Sequence, residues 1–160
     1  MTPSENLVVV GYDGSESARA ALGFGLEEAR MRGAVLRVVW AWHHPLTTYM
    51  GGGFEPPGQH LSGEEFERTA REELQSALDE SGAERAGVPA QMRVREGEAA
   101  AVVLEEAARA TLLVVGSRGH GEVVGLLLGS VSQHCVAHAV CPVAVVPGVR
   151  EADRRRSDAQ

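Results

Sequence analysis

What most constrains this chain is a set of short aliphatic runs without polar alternation: Leu7-Val8-Val9-Val10, Leu112-Leu113-Val114-Val115 and Val143-Ala144-Val145-Val146. A strand with one face in water alternates apolar and polar residues, whereas a strand covered on both faces reads as a continuous β-branched run. Val35 to Trp42 is a longer run of the second kind, carrying one charge at Arg37. Gln91 to Arg95 differs: Met92 and Val94 alternate with polar residues, as on an edge strand.

Helical stretches separate these five strands. Ala18, Ala21, Leu22, Gly25, Leu26 and Ala29 form one apolar face, and Gly33 is placed to stop that helix. Ser62 and Glu65 spell a capping box, with Leu61 and Phe66 as its hydrophobic staple. Phe66, Ala70, Leu74, Ala77 and Leu78 then recur at helical spacing until Gly82 or Gly87. A third helix is expected over Ala99 to Ala108, burying Val102, Val103 and Ala107, and a fourth from Ser130 to Ala139. The order βαβαβαβαβ implies a mainly parallel sheet with helices on both faces. Right-handed crossovers leave only a few doubly wound topologies. The segment from His43 to Leu61, rich in Gly and Pro, reads either as loosely packed or as a lid or partner contact.

A length of 160 residues suits one domain, expected over 1–148, with a polar, disordered tail at 149–160 that contains Arg154-Arg155-Arg156. The net charge of −7 argues against a general partner among nucleic acids or anionic membranes. Every basic side chain is arginine; without lysine there is no Schiff base and no P-loop lysine. Cys135 and Cys141 have neither redox nor zinc spacing and read as reduced, mostly buried thiols. No basic leader and no apolar run of membrane-spanning length stand out, so a cytoplasmic location is expected.

Ligands of open α/β sheets bind beyond the carboxyl ends of the strands, where strand order reverses. That rule marks Gly11 to Ser15, Ala41 to His43 and, above all, Gly116 to Ser132. Gly116 and Gly119 let a backbone turn sharply and let a ligand approach without a Cβ. Gly129-Ser130 stands at the mouth of a helix, where free N–H groups and the helix dipole favour an anion, and Ser130 and Ser132 add hydroxyls. The plainer alternative is that Ser130 caps the helix and the glycines only make turns.

The spacing Gly116-x2-Gly119-x9-Gly129-Ser130 matches the G-2x-G-9x-G-(S/T) pattern of the universal stress protein family. Leu7 to Ser15 (LVVVGYDGS), Ala110 to Ser132 and Cys141 to Pro147 (CPVAVVP) extend the resemblance over nearly the whole chain. It implies a single flavodoxin-like, Rossmann-like α/β domain with five parallel strands in the order 3-2-1-4-5. It also implies ATP as ligand, with Mg2+ or Mn2+ bound through the phosphates, and a homodimer joined through Val143–Val146. By this resemblance Gly116, Gly119, Gly129 and Ser130 surround ribose and phosphates, and Val131 and Ser132 complete the cradle. Asp13 faces adenine or ribose with Tyr12 beside it, and Ala41 lines the adenine pocket.

Asp13 has another reading, as a helix cap or as the holder of its D-G turn. Arg118 either neutralises phosphate charge or is solvated, and His120 reads as a solvated loop histidine. Two departures from the family pattern stand out: Thr111 where an acidic residue often precedes the fourth strand, and Glu122-Val123-Val124 in place of a Gly-aromatic-Ala run. Glu122 places a negative charge in the phosphate loop, which would weaken affinity or recruit a metal. His43-His44 and the i, i+4 pair His134 and His138 read as poor metal sites, and Trp40 and Trp42 as strand packing.

The function expected is that of an adenine-nucleotide-dependent stress-response regulator with at most slow ATP hydrolysis, since no lysine and no evident general base are present. The alternatives are an interaction module with a vestigial or different pocket, and an ATP-cleaving or adenylyl-transferring enzyme on the same kind of sheet.

Overall fold

The computed structural model describes residues 6–43, 62–119, 128–149 and 156–157. Strands β1 (Leu7–Gly11), β2 (Val35–Trp42), β3 (Ala90–Glu96), β4 (Leu112–Gly116) and β5 (Val143–Val146) alternate with helices α1 (Glu16–Arg32), α2 (Gly63–Ser81), α3 (Ala99–Glu106) and α4 (Ser130–His138). All pairings are parallel and the order is β3-β2-β1-β4-β5, the expected topology. Strand order therefore reverses between β1 and β4.

The pleat sorts each buried strand into two faces. Val8, Val10, Leu36, Val38, Leu112 and Val114 point into the layer under α1 and α2. Leu7, Val9, Val39, Leu113 and Val115 point into the layer under α3 and α4. On β3, Met92 and Val94 pack on the first layer, as its alternation predicts. The apolar face of α1 is buried as read, and it lies close to β1 because Gly25 sits over Val10, where a Cβ would collide with Val10 Cγ2. Leu74 of α2 is wholly buried; truncating such a leucine to alanine costs about 3 kcal/mol.

Helix ends follow local chemistry. Ser15 caps α1, its hydroxyl accepting from Ala18 N–H at 3.2 Å, and Gly33 closes the helix in the left-handed region (φ 59°). The Ser62–Glu65 capping box forms on α2, and Gly82 rather than Gly87 ends it. The third helix stops before the expected Ala108: Ala107 leaves helical geometry, and Ala108 N–H bonds back to Glu105 in a tightened last turn. Arg37, the lone charge in a buried strand, is answered by the mostly buried Glu106. That carboxylate also accepts from Arg95 at 3.1 Å, tying β2, β3 and α3 together. Thr111 donates its hydroxyl to Leu7 O at 2.9 Å, so the unusual residue before β4 fastens β4 to β1.

Among the described residues no helix is long and apolar enough to cross a membrane. The expectations for 44–61, including the Leu61 half of the staple and His44, lie outside the described residues, as do those for His120, Glu122-Val123-Val124 and nearly all of the tail.

Candidate functional site

The carboxyl ends of β1 and β4 open a cleft of about 540 Å³, its mouth included. Val39 and Ala41 of β2, Val103 of α3 and Val115 of β4 give it apolar lining. Arg118, Gly119, Gly129 and Ser132 add polar and main-chain lining.

The first loop is built by its own sequence. Tyr12 N–H donates to Val39 O at 2.8 Å, continuing the ladder. Gly14 turns the chain at φ 80°, and the Asp13 carboxylate accepts from Ser15 N–H at 2.9 Å. Asp13 therefore holds the turn that delivers Ser15 as the cap of α1, and it lines the cleft as well. Tyr12 is buried, its ring edge-on to Trp40 at 5.4 Å, and it lines the cleft at the same time.

The second loop is closed at its base. Gly129 N–H donates to Ser117 O at 2.7 Å, and Ser117 N–H to Val146 O at 2.8 Å. The buried Ser132 hydroxyl reaches back to Ser117 O at 3.2 Å and Gly129 O at 3.0 Å. Its proton thus pins the loop and is not a donor to the cleft. Gly129 is the N-cap of α4, with no side-chain cap bond. Ser15, Ser62 and Glu98 cap α1, α2 and α3 with side chains. Val131 and Ser132 of the first turn of α4 line the cleft, and no side chain caps that helix start, a geometry suited to an anion.

Tyr12, Asp13, Ala41, Gly116, Arg118, Gly119, Gly129, Val131 and Ser132 all line this one cleft. Ser130 does not; it is the first helical residue of α4, with an exposed side chain, and Gly129 takes the cap position. Gly116 needs a different explanation from the one its sequence suggests. It belongs to β4, and a Cβ there would meet α1: Ser17 Oγ, the Ser17 carbonyl carbon at 2.8 Å and Ala18 N at 2.9 Å. Its missing side chain admits a helix rather than a ligand.

Sequence reading missed Val39, which sits two residues before Ala41 and on the same face by simple alternation. It also missed Ala99 and Val103, which α3, packed over β2 and β1, brings to the cleft. Ser15 and Ser17 gave no signal beyond their closeness to the D-G turn.

Elsewhere, Cys135 is wholly buried and burial, reinforced by Glu98 and Cys141, pushes its thiol up to about 11. Burial likewise raises Cys141, and both thiols are free. His134 and His138 stack at 4.3 Å on the exposed side of α4. Among the described residues no three His, Cys, Asp or Glu side chains gather as a metal site. A wider groove of about 640 Å³ runs between α1 and α2 over Tyr12, where Arg19 is held above its ordinary pKa by the Tyr12 hydroxyl, Glu73 and Glu80. Its lining sets Glu73 and Glu80 against Arg19, which disfavours an anion, so the β1–β4 cleft is the candidate site.

A doubly wound parallel sheet with a cleft at its switch point, lined by apolar residues and by the start of a helix, has the layout of the open α/β domains. Residues 6–147 match the universal stress protein family, and the chain belongs to that family. A universal stress protein of Thermus aquaticus, encoded in the QAH/OAS sulfhydrylase 3′ region, is 35% identical over 144 residues, 87% of this chain and 96% of that protein. One from Mycolicibacterium smegmatis is 36% identical over 139 residues, but they are 87% of this chain and only 45% of that longer protein. The solved structure of a family member from Burkholderia pseudomallei is 30% identical, with a TM-score of 0.58 over 89% of this chain and 96% of its own.

Two more distant structures share the fold. A universal stress protein in complex with cAMP is 24% identical, with a TM-score of 0.60 over 92% of this chain and 99% of its own. A family protein from Arabidopsis thaliana with AMP bound is 22% identical, with a TM-score of 0.54 over 88% and 90%.

Proposed function

We propose that this chain binds an adenine nucleotide, ATP in the first instance, in the β1–β4 cleft. The observation that carries this reading is that one cleft brings together apolar lining at Ala41, Val39 and Val103 and the start of α4, which has no side-chain cap. A flat base gains by leaving water against that apolar lining. A phosphate at the helix start receives main-chain N–H groups and the favourable end of the dipole without any lysine. Arg118 is the basic residue among those lining the cleft. Related proteins holding cAMP and AMP support adenine as the base.

A divalent cation, Mg2+ or Mn2+, would ride on the phosphates. The protein acts as a nucleotide-loaded regulator in the cytoplasm rather than as a fast catalyst. It works as a homodimer joined along β5, which pairs with β4 on one side only among the described residues.

The test is calorimetric titration of the purified chain with ATP, ADP and AMP, with Ala41→Trp as the blocked control. Saturable 1:1 binding by the wild type, abolished in the variant, is expected. Absence of binding to all three, together with no co-purifying nucleotide after mild extraction, would remove this reading.

A further inference from the structure

Position 17 of α1 and position 118 of the loop after β4 are 101 residues apart in sequence and joined twice in space. Ser17 Oγ donates to the Arg118 carbonyl, and Arg118 N–H points back at Ser17 Oγ at 3.4 Å. Ser15 Oγ also reaches that carbonyl, at 3.4 Å. Ser17 is 5% exposed and does not line the cleft. It fits there because Gly116 has no Cβ to displace it. A buried hydroxyl is costly unless it is hydrogen-bonded; here its partner is the main chain of the residue that carries the cleft's basic group.

We infer that Ser17 is a positioning residue for the phosphate end of the cleft, acting through Arg118. The inference rests on the adenine-nucleotide reading and adds to it a residue that touches no ligand. Ser17 holds the Arg118 backbone from both its N–H and its C=O. The Arg118 side chain therefore starts from a fixed Cα and approaches a phosphate without first ordering the loop, a saving of the kind preorganisation gives. Removing the hydroxyl takes away the Ser17 bond to the Arg118 carbonyl and the acceptor of its N–H and leaves the longer Ser15 contact at 3.4 Å, while the Ser117–Gly129 closure and the apolar lining stay in place. The penalty falls on phosphate-bearing ligands and spares the nucleoside.

The experiment measures ATP and adenosine affinities by calorimetry for the full chain as wild type, Ser17→Ala, Arg118→Ala and the double variant. Ser17→Ala is expected to weaken ATP about tenfold and adenosine less than about twofold, the scale of one lost hydrogen bond to a charge-bearing segment. In the Arg118→Ala background the same change is expected to add less than about twofold on ATP, because the group it positions is gone. Ser17→Thr, which keeps the hydroxyl, is expected to retain ATP affinity; should Ser17→Ala not fold, an ATP-selective loss in Ser17→Thr overturns the inference, and unchanged selectivity upholds it. Equal losses for ATP and adenosine, or an undiminished loss in the Arg118→Ala background, would show a merely structural serine. A wild type that binds ATP while Ser17→Ala binds it equally well defeats the role of Ser17 alone. A wild type that binds neither ligand defeats the nucleotide reading and this inference with it.

Discussion

Gly23 and Gly25 stand two positions apart on α1 and are opposites in what they do. A Cβ at Gly23 meets nothing within 4 Å, whereas one at Gly25 runs into Val10 Cγ2 on β1. Gly23→Ala should therefore stabilise the fold by roughly 0.5–1 kcal/mol through helix propensity. Gly25→Ala should destabilise it by about 1–3 kcal/mol through overpacking. Urea unfolding of the two variants reads both signs; a shared sign would mean that the spacing of α1 over the sheet is not set at Gly25. Cys135 makes a pH prediction. Its folded pKa, about 11, lies above the ordinary thiol value of 9.0, so the protonated thiol favours the folded state. That contribution is full below pH 9 and is lost as pH rises through about 11. The stability gap between the wild type and Cys135→Ala should narrow over that window in urea titrations, and parallel curves would contradict the burial assigned to this thiol. Gly116 looked like a turn glycine and proved to be a seat for Ser17, because a pattern of glycines does not say on which side the missing Cβ would lie.

Element ends decide the shape of the cleft. Glu98 caps α3 with both carboxylate oxygens, accepting from Ala100 N–H at 3.2 Å and Ala101 N–H at 2.9 Å. Glu98→Ala should cost about 1 kcal/mol, as cap removal does. Because α3 carries Ala99 and Val103 of the cleft wall, the variant should also loosen nucleotide binding; a melting curve and a titration on the same sample check the two effects together. The start of α4 offers a sharper test. Gly129 has φ −73° and ψ 168°, the extended conformation that a residue before proline prefers. Ser130→Pro therefore fits the first helical position. Because Ser130 does not line the cleft, the variant should bind ATP nearly as the wild type does, and a large loss of affinity would put Ser130 in the phosphate cradle. Most elements were legible in advance: the capping box, the left-handed glycine after α1 and the unalternated strands each carry a local physical cause. The shortened α3 was not, since alanines continue a helix in sequence and only packing ends it there.

At the scale of the molecule, the alternation of strands and helices announced a doubly wound sheet. Choosing the order 3-2-1-4-5 from the few permitted ones depended on the family resemblance. The cleft was placed by the switch-point rule, and nine of the ten expected site residues line it. What stayed hidden was long-range: Ser17 against Arg118, Arg37 against Glu106, and α3 packed over β2 and β1. Such contacts depend on which helix covers which strand, and single-sequence periodicity does not encode that. The claim that joins the three scales is that phosphates sit at the uncapped start of α4 with the base against Ala41. A crystal structure of the ATP-soaked protein tests it most directly. Phosphate oxygens within about 3 Å of the Val131 and Ser132 main-chain nitrogens, with adenine beside Ala41, are predicted. Density for the nucleotide in the α1–α2 groove, or phosphates turned away from α4, would contradict the account.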